Sequence, residues 1–216
     1  MRSSRQKLLM GALTATIVAI PFSAMAASGG KLTAELAPVP HSAAADGGSD
    51  VTGHADIKLT GRTISVHLTA SGLTPGEPHA MHIHGVFDHV NECPTADADV
   101  NTGDPIDDST PQQEGTPDGL ISLNEGAPSY GPIDVSLTRT GATDPGSGLA
   151  LERFVSADAN GDLSYQRTIT VSKQVAKNLS DLHIVIHGTD LPWDADSSSL
   201  SSLFEATLPV ACGSIN

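Results

Sequence analysis

Residues 72–84 read Gly72-Leu73-Thr74-Pro75-Gly76-Glu77-Pro78-His79-Ala80-Met81-His82-Ile83-His84. The part from His79 to Gly85 predicts a short strand, and side chains two apart in a strand share a face, so His82 and His84 project together. A second segment, His183-Ile184-Val185-Ile186-His187, places His183 and His187 on one face in the same way. Two such strands side by side present three or four imidazoles to one point. A lone histidine in a strand is usually structural, whereas an alternating pair facing another pair points to a metal. Imidazole suits copper, zinc, iron or nickel, and ligand softness does not choose among them. His89 follows closely on the first segment and extends the candidate set.

Outward from these segments the chain is a succession of short strand patterns. Ile64, Val66 and Leu68 alternate with Ser65, His67 and Thr69, the period of two of a half-buried strand. Further strands are expected at Lys31–Leu36, Ile133–Thr138, Leu149–Ala157, Leu163–Val171, Leu182–His187 and Leu203–Val210. Asn160-Gly161 signals a tight hairpin, because both central positions of a type I′ turn need positive φ. Ser172–Leu179 is the one helical candidate. Strands at this spacing, with turn residues between them, predict an all-β, antiparallel sandwich or barrel with long loops.

The first residues carry Arg2, Arg5 and Lys7, then an apolar run from Leu8 to Ile20, then Ala24-Met25-Ala26, the small-x-small pattern of a signal-peptidase site. The run falls short of the roughly 20 residues of a spanning helix. Residues 1–26 therefore read as a signal peptide, 27–50 as a first strand and linker, and 51–216 as one β domain, in a periplasmic or secreted protein with no membrane attachment after cleavage. The 216-residue chain has 11 basic and 25 acidic residues; without the leader eight basic residues remain and the net charge is near −17. Such a surface repels nucleic acid and anionic membranes. An oxidising compartment favours pairing of the two cysteines, Cys93 and Cys212. From Asn91 to Gly131 there is no Lys, Arg or His but many acids. Asp97-x-Asp99-x-Asn101 hints at a calcium loop, yet Thr102 stands where the sharp turn needs Gly, so the segment reads as a solvated acidic loop.

The segment from Gly72 to His84 resembles the turn and strand of the copper/zinc superoxide dismutases, G-L-x-P-G-x-H-G-F-H-x-H. Cys93, nine residues after His84, stands where that family has the first cysteine of its disulfide. Val210-Ala211-Cys212-Gly213 resembles the segment of the second. Ile184-Val185-Ile186-His187 resembles the strand ending in the last copper histidine, and Val155-Ser156-Ala157-Asp158-Ala159-Asn160-Gly161 resembles the hairpin V-T-A-D-x-D-G. The resemblance implies a Greek-key β-barrel, a Cys93–Cys212 disulfide, copper on His82, His84 and His187, and a structural His79. His89, His183 or water would complete the copper site.

The departures shape the functional expectation. No histidine occurs from Val90 to Leu182, so the family's bridging histidine and two zinc histidines have no counterpart. Leu151 falls near the expected zinc aspartate, with Glu152 beside it; zinc is not expected in its family position. The arginine that attracts superoxide in the family is replaced by Pro209, and no Lys or Arg follows Lys177. The resemblance thus implies an exported copper-binding protein with at most weak, copper-only dismutation of superoxide. The alternatives are a non-enzymatic copper-binding protein and a structural module, since His-Ile-His-Gly after Gly-Leu-Thr-Pro-Gly also resembles the chordin-type domain.

Overall fold

The computed structural model describes residues 30–45, 50–87, 92–100, 117–191, 200 and 203–216. The leader read at residues 1–26 and His89 lie outside these residues.

Eight strands form one antiparallel sheet that curls into a half-barrel: β1 (Gly30–Pro38), β2 (Thr52–Thr60), β3 (Thr63–Ser71), β4 (Met81–His84), β5 (Ile133–Ser136), β6 (Leu163–Thr170), β7 (His183–His187) and β8 (Pro209–Ser214). Their order is β5-β4-β7-β8-β1-β2-β3-β6. β1 joins the two halves, pairing Gly30–Leu36 with β2 and Ala37–Pro38 with β8. On β3 the alternation is strict: Ile64, Val66, Leu68 and Ala70 are buried, and the residues between them are not. These side chains share one core with Ile57, Met81, Ile83, Tyr165, Ile184 and Ile186. Each large aliphatic side chain buried there contributes roughly 1.5–3 kcal/mol over its exposed state.

A smaller cluster lies on the other face of β7 and β8, where Val39, Ile121, Tyr130, Val185 and Cys212 pack together with Cys93 at its margin. It anchors the acidic segment. Cys93 and Cys212 are disulfide-bonded, 119 residues apart in sequence. The segment read as a linker after β1 is tied down as well: Val39 donates to Val210 O, His41 Nε2 lies 2.8 Å from Pro209 O, and Ile121 N donates to His41 Nδ1. Both oxygens of Asp99 accept backbone N–H groups, from Asp118 and Gly119. That carboxylate therefore closes a loop.

Three sequence expectations are corrected. Leu149–Ala157 is not a strand; Leu151–Arg153 is a 3₁₀ turn, and Ser156 makes only an isolated bridge with Pro78. Asn160 and Gly161 do form a turn, with φ of +79° at Gly161, but it leads into β6 from irregular chain. Leu203–Val210 begins as helix α3 (Leu203–Thr207) and becomes strand only at Pro209. Helix α2 (Lys173–Lys177) occupies the expected helical stretch, capped by Ser172. Helix α1 (Leu123–Tyr130) is unforeseen, although Ser122-x-x-Glu125 is a capping box written in the sequence: Ser122 Oγ accepts from Glu125 N while the Glu125 carboxylate accepts from Ser122 N. Glu125 also accepts from Val100 N, which binds the acidic segment to the helix. Among the described residues no helix is long and apolar enough to cross a membrane.

Candidate metal centre

Strand periodicity builds the centre. Met81 and Ile83 turn into the main core, so their neighbours His82 and His84 project from the opposite face of β4. β7 runs antiparallel beside it in the register His82 with Val185 and His84 with His183. Ile184 and Ile186 enter the core, and His187 takes the other face, its N–H bonded to Ala80 O. Irregularities at Ile83/His84 and at Ile186/His187 turn the chain where the ligands sit.

His82, His84 and His187 each offer one ring nitrogen, and the three nitrogens lie within 4.8 Å of one another. Each ring is at most 2 % exposed. One nitrogen of every ring is held by a backbone carbonyl: His82 Nε2 by Gly148 O at 3.1 Å, His84 Nδ1 by Gly131 O at 2.9 Å, and His187 Nδ1 by Thr207 O at 2.8 Å. A carbonyl only accepts, so each of these nitrogens carries the proton, and the remaining His82 Nδ1, His84 Nε2 and His187 Nε2 are left as lone pairs. Those three atoms are buried without a hydrogen-bond partner. Unsatisfied buried polar atoms are costly, and three meeting at one point fit a cation that accepts lone pairs. Carbonyl-fixed tautomers of this kind are the usual outer support of metal-bound histidines.

Two glycines make the carbonyl contacts feasible. Gly131 has φ of +79°, and a Cβ there would meet the backbone of Gly85 at 2.9 Å. A Cβ on Gly148 would come within 2.7 Å of Ile133 Cδ1.

The electrostatics favour neutral rings. Burial, reinforced by repulsion from His187, pushes His84 down to about 3, and burial lowers His187 to about 4. His82 is held well below the usual imidazole value by burial and then by the His187 and His84 charges. The unfolded chain binds protons near pH 6.5 that the folded rings refuse, so their contribution is complete above about pH 6.5 and declines as pH falls towards the folded values. The metal-free protein should lose up to about 1.4 kcal/mol per pH unit for each such histidine below pH 6.5. Urea unfolding of metal-free protein at pH 7.5, 6 and 5 measures this, and equal midpoints would contradict it.

Of the other candidate histidines, His183 and His79 stand apart from this cluster. His183 is 1 % exposed, but its Nε2 lies 3.0 Å from Ser214 Oγ and its Nδ1 is unpaired. It lies opposite His84 in register without joining the three-nitrogen group. His79 lies between two backbone carbonyls, its Nε2 3.1 Å from Thr74 O and its Nδ1 3.1 Å from His187 O, and as a neutral ring it donates to one of them. Glu152, beside the expected zinc aspartate, is exposed, and no second metal-capable cluster occurs among the described residues.

Sequence reasoning missed the aromatic wall. Phe154 meets His82 edge-on with ring centres 5.6 Å apart, and Tyr130 meets His84 edge-on at 4.7 Å. Tyr130 is fully buried, donates its hydroxyl to Leu123 O, and burial pushes its phenol well above the usual value. In front of the three rings lies a cavity of about 440 Å³, closed on one side by α1 and on another by the loop 145–149. Among the described residues no Lys, Arg, Asp or Glu lines it. Arg153 is committed to Thr140 O, Ala142 O and Ser147 Oγ, and Arg167 to Thr138 and Gly141 O. A larger groove of about 960 Å³ crosses the half-barrel at Glu35, His54 and Asp158, away from the imidazoles. It is the wider space, but none of the buried unpaired ring nitrogens is on its described lining residues.

No family model matches the chain, and no curated protein matches it.

Proposed function

We propose that this is an exported copper-binding protein of the superoxide dismutase-like type, with a Greek-key barrel, that holds copper on His82, His84 and His187 and has at most weak copper-only dismutase activity. One observation carries the reading: three unprotonated imidazole nitrogens, each fixed by a carbonyl on the far side of its ring, converge within 4.8 Å. Three imidazoles are compatible with several transition metals, and copper is preferred here on the sequence resemblance. Copper would supply one-electron oxidation and reduction. The chain's own part is to hold three neutral rings in one tautomer and to shield them with Tyr130 and Phe154. Metal analysis of the protein recovered from its native compartment, with His82 and His187 variants alongside, tests the reading; copper in the parent and none in the variants is the expected result.

The uncharged cavity favours binding over fast dismutation. With no cation among the described residues of its wall and a strongly negative chain, an anion gains no steering, an effect worth roughly 10 to 10³ in encounter rate. The copper-loaded protein should dismutate superoxide slowly, at a rate that rises or stays level with salt, since salt screens repulsion beyond about 10 Å at 0.1 M. Added zinc should change nothing. Stopped-flow measurement across ionic strength decides it: a rate near the diffusion limit that falls steeply with salt would show that a cation replaces the lost arginine.

A further inference from the structure

The cavity over the imidazoles has a composition of its own. Leu123, Ala127, Ile133, Pro145, Leu149 and Ala206 give it an apolar wall, and about 440 Å³ is within the range of small-molecule sites. Apart from the three rings its polar side chains among the described residues are Asn124, Tyr130 and Thr207. The Tyr130 and Thr207 hydroxyls are already donated, to Leu123 O and to the carbonyls of Leu203 and Phe204. Leu149 is 56 % exposed and lines the cavity, an apolar side chain left largely uncovered by the described residues. A charged ligand entering here would lose its water and find no opposite charge among the described residues of the wall, a cost that burial of an unpaired ion carries. An uncharged ligand would pay no such cost and would gain from each apolar atom that leaves water.

We propose that this cavity binds a small, uncharged organic molecule with an apolar body and one lone-pair donor, the donor directed to the metal and the body lying against Leu149, Ile133 and Ala127. The inference rests on the copper reading for the donor end only; the apolar wall is a property of the chain itself.

Three probes with the same pyridine nitrogen isolate the wall from the metal: pyridine, 4-phenylpyridine and pyridine-4-carboxylate. Titrated into copper-loaded protein and followed by electron paramagnetic resonance and calorimetry, 4-phenylpyridine should bind at least about tenfold more tightly than pyridine, and the carboxylate more weakly than pyridine. Leu149→Asp, at equal copper content, should remove most of the phenyl advantage. Equal affinities for the three probes, or a preference for the carboxylate, would overturn the proposal while leaving copper binding intact. If the protein takes up no copper, the copper reading fails, and metal-free protein still decides the wall by methyl NMR. Shifts at Leu149, Ile133 and Ala127 with 4-phenylpyridine but not with the carboxylate support it, and their absence overturns it.

Discussion

Replacing His82, His84 and His187 together by Ala is expected to abolish copper uptake, and His84→Ala alone to weaken it by roughly 100-fold or more. Loss of a mere outer partner of a metal-bound histidine typically costs about 10- to 100-fold, and a ligand contributes more than its support. The fold should survive. The three side chains project away from the main core that Met81, Ile83, Ile184 and Ile186 build, and in the metal-free state each leaves one buried nitrogen unsatisfied. Copper affinity by competition with a chelator, alongside circular dichroism of the β-sheet, checks both halves. Copper uptake that persists in the triple variant would move the site elsewhere. A conservative control sharpens the reading: His183→Ala removes an equally buried ring whose nitrogen is outside the cluster and should leave copper affinity close to the parent's.

Removing the disulfide should have the largest effect on stability. Cys93 and Cys212 close a loop across 119 residues, for which the chain-entropy model gives about 5 kcal/mol. Whole domains are stable by only about 5–15 kcal/mol, so the double variant Cys93→Ser/Cys212→Ser should unfold at much lower urea and approach marginal stability at 37 °C. The loss is local as well as global. Cys212 sits on β8 beside Val185, in the cluster that holds Tyr130 against His84. Loosening that cluster frees α1 and with it the Gly131 carbonyl that orients His84. Copper affinity should therefore drop in the double variant even where the sheet remains folded. Thiol titration of denatured, unreduced protein should find no free cysteine, and two reactive thiols per chain would refute the pairing.

Much of the sheet was legible because its signal is local. Ile64, Val66 and Leu68 alternate with polar residues, and any strand with that period buries the same set whatever its partners. The failures have two different causes. Leu203–Val210 is apolar enough for a strand, but its first five residues wind into α3, where Thr207 Oγ1 returns to Leu203 O and Phe204 O. Short apolar runs do not separate helix from buried strand by period alone. Leu149–Ala157 failed for another reason: Gly148 O and the loop before it turn to His82, and the chain there folds round the site instead of extending a sheet.

The sequence by itself determined an antiparallel β protein with two cysteines, a large acidic excess and histidines at strand spacing. Those properties follow from composition and from a period of two, which each strand carries without reference to the rest. Strand spacing alone left His183 and His187 equivalent; the resemblance pointed to His187, and the tertiary structure brings that ring, and not His183, to His82 and His84. That choice depends on the pairing register of β4 with β7 and on the irregularities at Ile83/His84 and Ile186/His187. Nor could any local pattern show that the carbonyls of Gly131, Gly148 and Thr207 fix the three tautomers, or that Arg153 and Arg167 are spent on loop carbonyls. A backbone carbonyl is present at every residue, so its role appears only when distant loops bring it against a ring.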